Sequence, residues 1–206
     1  MDNKLLRFKE VEEGYTARQA INEAKRCLNC KIPQCVKGCP IENNIPAFIH
    51  QISMGNMGNA MEIINEKSNL PAICGRVCPH EKQCEGHCVM NKKGAPIKVG
   101  KLERFAADFD SSIGLFHEKI TPKTRGKVAV IGSGPAGLTV AGDLARMGFN
   151  VVIYEKEAEL GGVLLYGIPE YRLPKDVVRH EVDKIEALGV TFITNCAIGT
   201  DITVDD

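Results

Sequence analysis

The sequence predicts a two-part α + α/β protein: an all-α domain dense in cysteine, then the first half of a Rossmann-like nucleotide-binding domain. Three observations lead there. Eight of the nine cysteines lie before residue 90, in two rows of four at 27, 30, 35, 39 and 74, 78, 84, 88, among helical patterns. The composition changes near residues 113–126, around GLFHEKITPKTRGK. After that point VAVIGSGPAGLTVAGDLARMGFNVVIYEK alternates as strand, turn, helix, strand. The expected domains are 1–115 and 127–206, with a linker over 116–126.

In the first part, Thr16 with Gln19 three residues on forms a capping-box signal. It opens a helix in ARQAINEAKRC, with Ala17, Ala20, Ile21, Ala24 and Leu28 near helical spacing, and leads to Cys27. A second helix is expected from about Pro46 (IPAFIHQISM) and a third over 58–67 (GNAMEIINEK), with Gly-Asn breakers between them. The second cysteine row, PAICGRVCPHEKQCEGHC, reads as loop. A fourth helix is expected over 98–110, KVGKLERFAADFD. No strands are expected here, and so small a helical core needs a bound metal for stability. In the second part, strands at 127–131 and 151–155 flank a helix at 135–147. A helix at 175–188 and the short strand VTFIT follow.

The chain has 206 residues, 44% apolar and 25% charged, which suits globular domains. Lys+Arg and Asp+Glu both number 26, so neither a general nucleic-acid binder nor a membrane-surface binder is indicated. The N-terminus lacks the apolar stretch of a signal peptide, and no run approaches the ~18 apolar residues of a spanning helix. A cytoplasmic location is expected. In that reducing setting, clustered cysteines read as metal ligands rather than disulfides. Cys196 stands alone in TFITNCAIG and reads as a small buried apolar residue.

The rows are C-x2-C-x4-C-x3-C-P and C-x3-C-x5-C-x3-C. Tetrahedral zinc usually draws on paired C-x2-C knuckles, and only one is present. A four-iron cluster also takes four ligands, commonly three close together and one distant. In two-cluster ferredoxins the cysteine before proline serves the other cluster, and Cys39–Pro40 fits that position. The spacing favours iron–sulfur over zinc. Arg76, Lys82, Lys31 and Lys37 lie among the cysteines, where cations could ease reduction of a negatively charged cluster.

Gly132, Gly134 and Gly137 form G-x-G-x-x-G between a strand and a helix. The first allows the tight turn, the second lets a pyrophosphate approach the backbone, and the third lets helix and strand pack closely. The helix N-terminus then faces the phosphates. Glu155, eighteen residues past Gly137, stands where a carboxylate would bind ribose hydroxyls. An acid there opposes the extra phosphate of NADP but does not separate FAD from NAD. After five intervening residues comes Gly161–Gly162, a pattern resembling flavoproteins with two dinucleotide-binding domains.

The segments CLNCKIPQCVKGCPIENNIPAFI, LPAICGRVCPHEKQCEGHCV, KVGKLERF and VAVIGSGPAGL, in that order, resemble the N-terminal half of the glutamate synthase small (beta) subunit family. The arrangement is similar in related NAD(P)H-linked flavin/iron–sulfur reductases, among them the bifurcating ferredoxin:NADP oxidoreductase large subunit and the N-terminal part of dihydropyrimidine dehydrogenase. The resemblance covers about residues 10–200. It implies crossed ligation of two 4Fe–4S clusters, one held by Cys27, Cys30, Cys35 and Cys88, the other by Cys39, Cys78 and Cys84. The family completes the second cluster with a glutamine or glutamate from the following helix, which here is Glu103, with Cys74 as the rival. GGVLLYGIPEYRLPK matches the stretch that lies along FAD in the family. The implied FAD contacts are Gly132, Gly134, Ala136, Gly137, Glu155 and Gly162, with Leu165 and Arg172 added.

In that family a hydride passes from NAD(P)H to FAD, and single electrons continue through the clusters to a flavin-containing larger catalytic subunit. The resemblance therefore implies the N-terminal fragment of an NAD(P)H-dependent flavin/iron–sulfur oxidoreductase, most simply the glutamate synthase small subunit, which draws its electrons from NADPH. The NAD(P)H site would lie in a missing C-terminal part, so the 206 residues alone would be inactive. Alternatives are a subunit of the bifurcating reductase, a stand-alone electron-transfer module, or a zinc-stapled interaction domain. No catalytic residue is assigned.

Overall fold

A computed structural model describes residues 10–114 and 119–205. The chain divides into two compact units, one spanning Glu12–His117, the other Glu118–Asp206 together with the segment up to Val11. The Val11 N–H donates to the Tyr171 carbonyl at 3.0 Å, within the second of these. The predicted linker, 116–126, begins among residues outside the described ones.

The first unit is helical. α1 (Ala17–Ala24) starts where the capping box predicts: the Thr16 N–H donates to Gln19 Oε1 at 2.8 Å, and the Gln19 N–H donates to Thr16 Oγ1 at 3.3 Å. It stops before Cys27, so Leu28 belongs to the following loop and is 56% exposed instead of continuing the apolar stripe. A short α2 (Gln34–Lys37) carries Cys35. α3 (Ile45–Ser53) has proline in its first turn, where a missing N–H costs nothing. It buries Ile45, Phe48, Ile49 and Ile52. α4 (Met57–Asn65) buries Met57, Ala60, Met61 and Ile64. α6 (Val99–Ile113) is the longest helix described, and Gly114, at φ 61°, ends it in the left-handed conformation.

The second cysteine row corrects the sequence reading. Its start is a helix, α5 (Pro71–Val77), not a loop. Pro71 opens it, and Ala72, Ile73 and Gly75 are buried. A Cβ on Gly75 would lie 2.5 Å from Arg104 N and 2.8 Å from Arg104 Cα. The glycine that weakens the helical pattern is thus what lets α5 lie against the backbone of α6. Turns carry residues 80–87, and a 3-10 turn follows at Val89–Lys93.

The second unit holds a three-stranded parallel sheet in the order β1-β2-β3, from β1 (Lys127–Ile131), β2 (Asn150–Tyr154) and β3 (Thr191–Ile193). Val128 pairs with Val151, and Ile153 with Phe192. Parallel neighbours need crossovers, and α7 (Pro135–Arg146) and α9 (Lys175–Ala187) supply them. Val151 and Ile153 of β2 are buried, as are Leu138 and Ala141 of α7 and Val178 and Ile185 of α9, and α7 packs against both β2 and α9. A short α8 (Val163–Tyr166), which the sequence reading lacks, follows the Gly161–Gly162 turn. The arrangement is α + α/β, as predicted. Among the described residues no helix is long and apolar enough to cross a membrane.

Candidate functional site

The helical unit sorts its eight clustered cysteines into two cavities. Cys27, Cys30, Cys35 and Cys88 line the first, with Leu28, Val89 and Met90 at its edge. Cys39, Cys74, Cys78, Cys84 and Glu103 line the second, with His80 and Gln83 beside them. Each row is therefore split, since Cys39 leaves its neighbours and Cys88 joins them. Local structure explains the first departure. A continued helix would stack residues four apart on one face. α2 stops at Lys37 and Gly38 caps it, so Cys39 does not follow Cys35. Ile45 and Val99 line both cavities and form their common wall.

The donor sets suit a soft metal centre. Seven of the eight cysteines are half-buried and Cys84 is fully buried. Burial pushes the Cys35 thiol up to about 11, and the neighbouring thiols of Cys27, Cys88 and Cys30 push the same way against a backbone N–H at Val36. Burial, then the carboxylates of Glu103 and Glu85, push Cys84 up to about 12. Cys27 is raised by burial and by Cys30 and Cys88. Thiols that raise one another in this way become thiolates together only when positive charge enters among them, and bound metal supplies that charge. The second cavity has a volume of about 140 Å³, whereas free space in the first is only about 20 Å³. The fit there rests on the donors. Among the described residues no three His, Cys, Asp or Glu side chains meet around a single ion.

Of the cations among the cysteines, Arg76 has another task. Its buried guanidinium forms two 2.8 Å bonds to Asp108 and one of 3.0 Å to the Ala72 carbonyl, tying α5 to α6. Lys31, Lys37 and Lys82 are exposed.

In the other unit, a cavity of about 600 Å³ opens beyond the C-terminal ends of the strands, lined by Gly132, Glu155, Gly162, Tyr166, Cys196 and Ala197 among others. That is the ligand-binding end of an open parallel sheet, and the volume lies in the range of cofactor pockets. The three glycines of the turn differ in what they do. Gly132 has φ 91°. Gly134, the N-cap of α7, has nothing within 4 Å of a built Cβ, so the approach to the helix N-terminus is open. A Cβ on Gly137 would lie 2.0 Å from the Gly132 carbonyl oxygen.

Glu155 is 5% exposed. Its Oε2 accepts from the Ser133 N–H at 2.8 Å and the Ser133 hydroxyl at 2.6 Å, and its Oε1 accepts from the Glu157 N–H at 2.9 Å. Burial, the largest single influence, raises its pKa, but the hydrogen bonds from Ser133, Glu157 and Lys156 together outweigh it and the net shift is downward. The carboxylate is thus held ionised, and Oε1 retains acceptor capacity for a ribose hydroxyl. Ser133 was missed by the sequence reading. It is fully buried, and its hydroxyl also accepts from the Gly161 N–H at 3.1 Å, joining the two glycine turns. Its only sequence signal is a small polar residue inside the fingerprint. Cys196, read as a buried apolar residue, instead lines the cavity half-buried. Ala136 lies exposed in the first turn of α7. Leu165 is buried and Arg172 exposed; of the expected contacts Gly132, Glu155 and Gly162 line the cavity, whereas Gly134, Ala136, Gly137, Leu165 and Arg172 do not.

Comparison with known proteins follows this division. Residues 4–114 match the family described as dihydropyrimidine dehydrogenase domain II, 4Fe-4S cluster, and residues 130–182 match an NAD(P)-binding Rossmann-like domain. The chain is 42% identical over 196 residues to the NAD-dependent dihydropyrimidine dehydrogenase subunit PreT of Escherichia coli K12, covering 95% of this chain and 48% of that protein. It is 36% identical over 202 residues to the glutamate synthase [NADPH] small chain of the same organism, covering 98% of this chain and 43% of the relative. A third relative, the putative oxidoreductase UacF of that organism, is 39% identical over 202 residues, with 97% and 32% covered. The chain spans about half or less of each of these relatives.

Proposed function

Because this chain belongs to the family described as dihydropyrimidine dehydrogenase domain II, 4Fe-4S cluster, we propose that it is the electron-relay portion of an NAD(P)H-dependent flavin/iron–sulfur oxidoreductase. Cys27, Cys30, Cys35 and Cys88 hold one 4Fe–4S cluster. Cys39, Cys78, Cys84 and Glu103 hold the other. The observation that carries the reading is the division of two sequential cysteine rows into two cavities that share a wall at Ile45 and Val99. Two redox centres separated by one layer of side chains suit transfer of electrons between them, and four thiols lining one cavity suit the four corners of a four-iron centre.

The 600 Å³ cavity takes the adenine nucleotide half of FAD. Gly134 and the N-terminus of α7 receive the pyrophosphate, and Glu155, held by Ser133, binds the ribose. FAD supplies the conversion of a hydride into single electrons. Neither an NAD(P)H site nor a partner-binding surface is assigned to these residues, which span about half or less of the relatives that carry the whole activity. Relatives named glutamate synthase small chain and dihydropyrimidine dehydrogenase subunit both support a relay of this kind. The latter carry the higher identities, so a pyrimidine reductase partner stands beside the glutamate synthase expected from the sequence.

Anaerobic purification of the full-length protein tests the proposal. About eight irons and eight sulfides per chain, with two reduced-state EPR signals, are expected from two four-iron clusters. A colourless zinc-loaded protein would overturn it. Tightly bound flavin is expected as well.

A further inference from the structure

The second cavity offers more donors than one four-iron cluster can use. Cys39, Cys74, Cys78, Cys84 and Glu103 all line it, and a cubane has four corners. Two of the five sit on either side of one close helix–helix approach. α5 and α6 meet where a Cβ on Gly75 would lie 2.5 Å from the backbone nitrogen of Arg104. Cys74 and Glu103 are the residues preceding this contact on the two helices, and both line the same cavity. Further along, Arg76 reaches across to Asp108 through two 2.8 Å bonds. The spacing of Cys74 from Glu103 is therefore fixed by main-chain contact and an ion pair between helices, not by a loop. Glu103 also stands close to Cys84, since its carboxylate is the foremost charge acting on that thiol.

We propose that Cys74 is a reserve thiolate for the cluster corner taken by Glu103, a reading that rests on the two-cluster proposal. Iron in these clusters is held mainly by thiolate sulfur, and a carboxylate oxygen is the harder, less matched donor of the set. Were Glu103 to let go, Cys74 would be the donor that holds that corner instead, the Fe–O bond being exchanged for an Fe–S bond and the thiol proton passing to the freed carboxylate. No electron moves. The surplus cysteine thereby keeps the cluster attached when its oxygen ligand is lost.

Four forms of the full-length protein, purified anaerobically, decide this: the unchanged protein, Glu103→Ala, Cys74→Ser, and the double variant. Iron and sulfide content, reduced EPR spectra and redox titration are the readouts. The unchanged protein and Cys74→Ser should both hold about eight irons with the same two signals. Glu103→Ala should keep about eight irons, with one signal altered and its potential lowered, because thiolate donates more charge than carboxylate. The double variant should fall to about four irons and lose that one signal. The surviving first-cluster signal reports that the domain is folded. If it too is lost, Glu103→Leu combined with Cys74→Ala, which fills the space of the carboxylate without offering a donor, decides by the same iron count. Loss of the cluster in Glu103→Ala as complete as in the double variant overturns the proposal. So does its loss in Cys74→Ser alone, or an unaltered spectrum in Glu103→Ala. Should the unchanged protein hold fewer than two clusters, the two-cluster reading falls, and this proposal with it.

Discussion

Gly134 and Gly137 belong to one turn, yet alanine at each should fail in a different way. At Gly137 the added Cβ would lie 2.0 Å from the Gly132 oxygen and 3.1 Å from its carbonyl carbon. Ordinary contact begins near 3.5 Å, so the turn must open by more than about 1 Å, and the obstacle is main chain that cannot rotate away. Overpacking of this kind costs about 1–3 kcal/mol, while replacing a helical glycine by alanine returns up to about 1 kcal/mol. With rigid main chain as the obstacle the upper end of that cost applies, and the net loss of about 2 kcal/mol lowers Tm by roughly 4–8 °C in a chain of this size. At Gly134 the backbone has φ −68° and ψ 178°, which any residue adopts, and nothing lies within 4 Å of the new Cβ. Loss of glycine at the N-cap costs only about 0.5 kcal/mol. The same methyl group, however, would occupy the space through which a pyrophosphate reaches the helix N-terminus. FAD affinity should fall at least about tenfold, roughly 1.4 kcal/mol. Thermal melts of the two variants, with flavin titration of the full-length proteins, separate the effects. FAD binding by Gly134→Ala equal to the unchanged protein would refute the role of the turn as a phosphate cradle, and an unchanged Tm in Gly137→Ala would refute the packing argument.

Cys39→Ser should remove about half the iron and one EPR signal and leave the other intact, because Cys39 lines the second cavity while its three row-mates line the first. Glu155→Gln should flatten the acid limb of stability. The folded pKa of Glu155 lies below its ordinary value of 4.5, so its contribution is complete above that pH and drains away as pH falls through the lower folded value. Urea midpoints between about pH 3 and 7 should thus converge for the variant and the unchanged protein at the acid end. Asp108→Ala should destabilise the helical unit. Removing one partner of a buried ion pair costs about 3–5 kcal/mol, but Asp108 is 39% exposed, and solvent reduces the expectation to about 1–2 kcal/mol in a urea melt.

Some features were legible in the sequence because they are local. The capping box of α1 needs only Thr16 and Gln19, and both of its hydrogen bonds form. The strand–turn–helix order around Gly132 follows from apolar periodicity and glycine spacing, and the parallel sheet follows from it. α5 was hidden because its two informative residues point the wrong way when read alone. Gly75 offers no side chain to mark a buried helix face and Arg76 reads as a cation that could ease cluster reduction, and only contact with α6 turns the first into a close-packing site and the second into a buried tie. Leu28 erred in the opposite sense, since its helical spacing continues past the point where the chain leaves α1. Ser133 carries no pattern of its own, as its importance lies in bonds to Glu155 and Gly161 that are distant in sequence. Leu165 and Arg172 came from resemblance alone, and neither shares the lining of the nucleotide cavity.

The two cysteine rows are interleaved, and this has an energetic consequence. Each cavity draws from both rows: the first takes Cys88 from the second row, and the second takes Cys39 from the first. Neither set of donors can gather until the segment 27–39 and the segment 74–88 have come together. Closing that loop costs conformational entropy once, and the cost grows only slowly with length. Ile45 and Val99, which line both cavities, bring α3 and α6 into the same event. Filling either centre therefore prepays the chain entropy of the other, and assembly of the two should be cooperative although they share no ligand. Interleaving also separates two kinds of damage. Loss of a single donor, as in Cys39→Ser, leaves the other cluster to hold both segments together, so one centre survives. Loss of the crossing itself, by deleting either row, should abolish both centres and leave the helical unit with too small a core to fold without them.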